Sequence, residues 1–363
     1  MKNVIGIIIS LAATLSFAAN PVLAQASQDA DQDAASSTAV GSDAATSANA
    51  DAASTAESTN GAKVSIPTKT TGQKRPRIGL ALGGGGSRGA AHVGVLKVLK
   101  EEGIPIDLIA GTSIGSVVGG FYAAGVPLDD IGLVFEKKIF TKEFTPMPIL
   151  TLMLEPTLVT ARLFGYKPYD GLFNGVKFKK YADKVAGCKK IEELKIPFAA
   201  VVTDVVTGQS CRLTEGDLGL AMQASTAVPE LKRPVQIGDK LYCDGGLINN
   251  VPVSHIREMG ADFVIAIDID EHLKDMPLKK FRGLGSMARQ ALKIQLATFD
   301  LPNRKNSDIF INPDTTGINI VSFKKSDGKR GIDAGIAAAR EAMPEIKRKL
   351  AEIGITPEAN KVQ

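Results

Sequence analysis

The chain has 363 residues, with 43 Lys and Arg against 39 Asp and Glu for a net charge of +4, three Cys, no Trp and 5% aromatic residues. Dispersed basic residues with so few aromatics argue against a nucleic-acid partner, and three cysteines allow at most one internal pair, leaving one thiol free or paired between chains. At 44% hydrophobic residues the chain has enough apolar material for one large globular domain.

The chain opens with Lys2, an apolar run from Val4 to Ala18, and small residues at Val22-Leu23-Ala24 and Ala24-Gln25-Ala26. Residues 1–26 therefore read as a cleavable secretory signal, which places the mature protein in the periplasm or outside the cell. A transmembrane anchor is the alternative, but the apolar core is short for a span of about twenty residues. No cysteine follows to carry a lipoprotein anchor, and no later segment is long and apolar enough to cross a bilayer. Residues 27–75 form an Ala/Ser/Asp-rich linker with too few large apolar groups to offset the entropy of ordering. Its acidic side chains, Asp29, Asp31, Asp33, Asp43, Asp51 and Glu57, meet no basic residue before Lys63, so the remainder of the chain is net basic and suited to anionic lipid surfaces. A solvated, soluble face is the simpler account of that charge.

Residues 76–352 alternate strand and helix patterns, with a tail at 353–363. Strands are predicted at 77–82, 106–111, 196–203, 240–243, 262–269 and 308–312, and closing helices near 283–299 and 331–352. The first strand runs into Gly83-Gly84-Gly85-Gly86-Ser87-Arg88-Gly89 and then a helical pattern, Ala90, Val93, Leu96, Leu99. A glycine loop at a helix N-terminus presents backbone N–H groups and partial positive charge, which suits a phosphate or an oxyanion. Gly84, Gly86 and Gly89 match the dinucleotide pattern G-x-G-x-x-G, but that fold needs an acidic residue at the end of the second strand. The second strand instead ends in Gly111-Thr112-Ser113-Ile114-Gly115, and Asp107 lies at its start. This is the strand-turn-helix setting of a nucleophile elbow, with Gly111 and Gly115 making room for the sharp turn at Ser113. A Gly-flanked serine that merely caps a helix is the competing reading.

The segment Ile139 to Tyr169, with the Pro-punctuated apolar stretch 146–154, reads either as a lid over a lipid site or as a buried crossover helix. His92, His255 and His272 have no motif of a catalytic base around them. Asp244, in Tyr242-Cys243-Asp244-Gly245-Gly246, is the better partner for Ser113: the residues after it, with two asparagines and Pro252, look like a loop into a helix rather than the second strand of an Asp-Gly hairpin. Nothing selects a pair among Cys188, Cys211 and Cys243.

Taken together, the glycine loop, the Ser113 pentapeptide and Asp244-Gly245-Gly246 resemble the patatin-like phospholipases. The segments Val202-Thr203-Asp204, Thr207-Gly208, Ala224-Ser225-Thr226-Ala227-Val228-Pro229 and Asn249-Asn250-Val251-Pro252 are similar to that family as well. The resemblance implies a three-layer α/β/α fold with a mostly parallel central sheet. It also implies a Ser-Asp dyad in which Ser113 is the nucleophile and Asp244 the general base, with an oxyanion hole from Gly84, Gly85, Gly86 and Arg88. That scheme calls for no metal and no cofactor. The expected activity is hydrolysis of phospholipid or lysophospholipid esters, with peripheral contact to anionic membrane; the alternatives are an esterase or thioesterase on non-lipid acyl groups and a non-catalytic anion-binding module.

Overall fold

The computed structural model describes residues 75–137, 139–144, 169, 171, 173–229, 231–270, 277–283 and 286–357. The signal and nearly all of the linker, the apolar stretch 146–154, His272 and the last residues of the tail lie outside them.

The strands form one sheet in the order β5-β6-β3-β2-β1-β7-β8, with β4 paired to β3. β1 (Ile78–Leu82), β2 (Leu108–Thr112), β3 (Phe198–Asp204), β7 (Phe263–Ile267) and β8 (Ile309–Ile311) are mutually parallel. β4 (Ser210–Leu213), β5 (Val235–Ile237) and β6 (Lys240–Asp244) complete one side in antiparallel pairings. The parallel strands are buried and largely apolar because both faces are covered, with Thr112 and Thr203-Asp204 at the ends of β2 and β3.

One face of β1 sends Ile78, Leu80 and Leu82 into the larger core, with Leu96 and Leu99 of α1 (Ala90–Glu101) and Val118 and Phe121 of α2 (Ile114–Ala123). The same core takes in α3 (Leu128–Glu136), α4 (Ile139–Phe144), α5 (Val176–Ala186) and α6 (Leu218–Ser225). The opposite face, with Ala81, Ala110 and Val264, packs on Val253 and Ile256 of α7 (Val253–Glu258). α8 (Ser286–Asn306) follows β7, and α9 (Lys325–Glu352) closes the first face. Helices on both faces of a mostly parallel sheet make the three layers that were expected.

α9 lies against α1 at backbone contact. A Cβ at Gly94 would fall 2.1 Å from the Ile332 carbonyl oxygen, and one at Gly335 would fall 2.0 Å from that of Ala91. The helix starts at Lys325, earlier than the apolar periodicity from 331 predicts, because buried Asp327 and Gly328 replace large apolar residues where it meets Phe135. β4 and β5 were not predicted. Both are short and only partly buried, so neither shows a period-2 pattern.

Candidate active site

β1 and β2 are adjacent and parallel, so the glycine loop and the Ser113 turn leave the same edge of the sheet. Ser113 joins β2 to α2 with φ 52 and ψ −122, one of two non-glycine residues with positive φ among the described residues. Such a conformation costs about 1–3 kcal/mol and persists only where neighbours hold it. The Ser113 N–H donates to Ser225 Oγ at 2.9 Å, and that hydroxyl donates to the Val201 carbonyl at 2.6 Å. The Ser113 carbonyl accepts the Ser116 hydroxyl at 2.6 Å and the Ser116 N–H at 2.9 Å. Tight packing completes the turn: a Cβ at Gly115 would lie 2.1 Å from the Leu82 carbonyl oxygen, and one at Gly111 would lie 2.4 Å from that of Gly115.

Asp244 ends β6 and begins a short 3-10 turn, Gly245–Leu247, so the chain turns toward α7 and does not form a hairpin. Its N–H donates to the Ala227 carbonyl at 3.0 Å, and its carbonyl accepts the Thr203 hydroxyl at 3.1 Å. The buried carboxylate accepts the Gly246 N–H at 2.8 Å, and the Ser113 side chain is near enough to act on its pKa. Burial pushes Asp244 up to about 6, while the Ser113 side chain, the Gly246 hydrogen bond and the charge of Lys232 pull it back. The value lies close to the range suited to a base that works near neutral pH.

The glycine loop divides its donors. The Gly83 N–H goes to the Ile267 carbonyl at 2.9 Å, and the Gly84 N–H is shared by the side-chain and main-chain oxygens of Asn250, at 3.1 and 3.3 Å. The Gly85 and Gly86 N–H groups have no acceptor among the described residues, and their φ values of 152 and 60 are open to glycine. A Cβ at Gly84 would stand 3.2 Å from Ser113 Cβ, so loop and serine touch. Arg88 is buried with Nε donating to the Ile318 carbonyl at 2.9 Å and Nη1 to Asp270 at 3.0 Å. Of the four residues expected to offer donors to an oxyanion, Gly84 and Arg88 thus have these donors committed within the protein, and Gly85 and Gly86 hold the unengaged pair.

The histidines stand apart from this geometry. His92 Nε2 donates to the Gly83 carbonyl at 2.8 Å, its Nδ1 has no partner, and burial pushes the ring down to about 4. It braces the glycine loop as a neutral ring. His255 Nε2 meets Ser210 Oγ at 2.7 Å on the β4 side. Cys188, Cys211 and Cys243 are all free thiols, and burial pushes Cys243 up to about 12. No group of three His, Cys, Asp or Glu side chains among the described residues is placed to hold a metal ion.

Several residues of the site carried no assigned role in the sequence. Asn250 binds Gly84 with its oxygen and Asp270 with its Nδ2 at 3.3 Å. Its place shortly after Asp244-Gly245-Gly246 was the available signal. Lys232 is 1% exposed, its Nζ 3.2 Å from Thr226 Oγ1, 3.2 Å from the Phe144 ring centroid and 4.5 Å from that of Phe178. Burial holds its amine well below the ordinary lysine range, opposed by the charge of Asp244. A lysine between Pro229 and Pro234 looks like solvated loop, so nothing local marks it.

Residues 80–256 match the sequence model of the family described as Patatin-like phospholipase. An uncharacterized NTE family protein of Mycobacterium tuberculosis is 36% identical over 202 residues, covering 56% of this chain and 51% of that protein. The Lysophospholipase NTE1 of Debaryomyces hansenii is 34% identical over 192 residues, covering 53% of this chain and 12% of that protein. The chain therefore spans about half the length of the first relative and a small part of the second. VipD from Legionella pneumophila aligns at a TM-score of 0.41 and 14% identity, covering 75% of this chain and 67% of VipD. With the glycine loop, the Ser113 turn and Asp244 all inside the matched segment, residues 80–256 are the core of a patatin-like phospholipase domain in this chain.

Proposed function

We propose that this protein is an exported serine acyl hydrolase that cleaves ester bonds of phospholipids or lysophospholipids. The observation that carries the reading is the strained strand-to-helix turn that presents Ser113, with the buried Asp244 carboxylate near enough for the serine side chain to lower its pKa. Asp244 takes the Ser113 proton as Oγ bonds to the ester carbonyl carbon. The carbonyl oxygen becomes an oxyanion facing the Gly85 and Gly86 N–H groups, each such donor being worth about 3–4 kcal/mol in the transition state. Collapse breaks the ester C–O bond, and Asp244 returns the proton to the leaving alcohol or lysolipid. Water then attacks the acyl-Ser113 ester, giving its proton to Asp244, and fatty acid leaves as Ser113 is reprotonated.

The lipid substrate class rests on the phospholipase family of the domain and on the lysophospholipase name of the yeast relative. Export rests on the apolar run Val4 to Ala18 and the small residues after it, and peripheral contact with anionic membrane rests on the basic balance of the chain beyond the acidic linker. Release of fatty acid from phospholipid vesicles and from a short p-nitrophenyl ester tests the reading in the parent, Ser113→Ala and Asp244→Asn. Both activities are expected to fall by at least about a thousandfold in both folded variants, as removal of a nucleophile or its base does. Variants that match the parent would remove the dyad.

A further inference from the structure

β8 is parallel to β7, β7 to β1 and β1 to β2, so the loop after β8 leaves the same edge of the sheet as the glycine loop and Ser113. Residues 312–324 of that loop are bonded to the glycine loop itself. The Ser87 N–H donates to the Ile320 carbonyl at 2.7 Å, the Ser322 N–H to Ser87 Oγ at 2.9 Å, and Arg88 Nε to the Ile318 carbonyl at 2.9 Å. A Cβ at Gly86 would lie 2.2 Å from the Ile320 carbonyl oxygen, so the two backbones are in direct contact.

On this firmly held loop two large apolar side chains face outward. Ile320 is 54% exposed and Phe323 50% exposed, although buried Ile318 and Ser322 show that the loop has an interior side. Lys324 and Lys325 follow at once, both exposed, and neither ammonium has an acidic partner among the described residues. A rigid, outward-facing Phe and Ile beside two uncommitted lysines is the arrangement of an interfacial anchor: the rings and branched carbons enter the headgroup boundary while the ammonium groups meet anionic lipid.

We propose that Ile320, Phe323, Lys324 and Lys325 form a docking surface for an anionic bilayer, set at the rim of the glycine loop. The partner follows from the chemistry, since charge complementarity selects anionic lipid and exposed apolar carbon selects its interface. The inference rests on the hydrolase reading for its lipid substrate. Because the loop backbone bonds to Ser87 and Arg88, a bilayer held here lies beside the Gly85 and Gly86 donors.

The test is sedimentation of the full chain carrying Ser113→Ala with phosphatidylcholine vesicles and with vesicles that also contain phosphatidylglycerol. Hydrolysis of a soluble short-chain ester by the parent protein is measured separately, so failure of the catalytic reading shows there and not in the binding. Reversing both lysines, K324E with K325E, is expected to lower apparent affinity for the anionic vesicles by about tenfold or more at physiological salt, and to leave the neutral vesicles unaffected. Phe323→Ser is expected to weaken binding to both by several-fold. Thermal transitions within a few degrees of the parent certify the fold of each variant. Variants that sediment like the parent would overturn the proposal. So would a parent dimer in sedimentation velocity that Phe323→Ser converts to monomer, which would assign this face to a second copy of the chain.

Discussion

The Asn250 carboxamide oxygen accepts the Gly84 N–H at 3.1 Å, while its Nδ2 donates to Asp270 at 3.3 Å. A residue that follows Asp244 in the chain thereby sets the glycine loop that packs on Ser113. The carboxamide is thus held at both ends, and Asp300 receives the N–H of the next residue, Val251, at 3.1 Å.

Asn250→Ala should therefore act on the loop's aim rather than on the dyad. Freed of its acceptor, the Gly84 peptide can rotate, and the neighbouring Gly85 and Gly86 N–H groups lose their orientation. We expect kcat to fall by about ten- to a hundredfold with KM changed little, the signature of an interaction felt in the transition state. Steady-state kinetics on a soluble ester measures this, and an unchanged kcat would show that the loop holds its shape without Asn250.

In the proposed cycle Asp244 acts as a base in its ionised form, and burial pushes that group up to about 6. The kcat/KM profile should rise with pH and level off above an apparent value near 6. Asp244 faces Lys232, Asp270, the Ser113 hydroxyl and the Gly246 N–H. Lys232→Met keeps the length of the buried side chain but removes its charge, so Asp244 becomes harder to ionise and the acid limb should move to higher pH. A limb that stays in place would mean that Lys232 is already uncharged between its two phenylalanine rings.

Burial pushes two further carboxyls upward, Asp268 to about 7 and Asp300 to about 6. The folded protein binds these protons more tightly than the unfolded chain, whose aspartates titrate near 3.9. Their stabilising contribution is complete below that unfolded value and is lost as pH rises through 6 to 7. Tm should accordingly decline between about pH 4 and 7. Asp268→Asn, which can still accept the Asp270 N–H that Asp268 now accepts at 2.9 Å, should flatten part of that decline in a calorimetric series.

Gly115→Ala tests the packing of the turn. The added methyl would lie 2.1 Å from the Leu82 carbonyl oxygen, which belongs to β1 and has no freedom to retreat. Overpacking at backbone is costly, and a loss of about 3 kcal/mol is expected, with Tm lower by about 5–10 °C. A variant that melts with the parent would contradict the tight β1–α2 contact.

The residues that read clearly from the sequence are those whose chemistry depends on local backbone shape. Gly111 to Gly115 and Gly83 to Gly89 both sit where an apolar strand ends and a helix begins, and the structure places both turns at one edge of adjacent strands. Asp244 was legible because Asn249, Asn250 and Pro252 argue against a second hairpin strand. What stayed hidden depends on contacts between distant segments. Ser225 meets Ser113 across 112 residues, and Arg88 reaches Asp270 across 182, so no window of sequence contains either pair. Lys232 is the extreme case, since its burial beneath Phe144 and Phe178 is a property of the packed fold alone.

The bonds from residues 318–322 to Ser87 and Arg88 have a practical consequence for anyone dissecting this chain. The segment that marks the domain, 80–256, contains every candidate catalytic group yet ends before β7, β8 and α9. Cut there, it would keep Ser113 and Asp244 but expose one edge of β1 and strip the Gly83 N–H of its Ile267 acceptor. A piece that keeps these contacts extends to the end of α9 at Glu352, because the C-terminal third is the mould in which the glycine loop is cast.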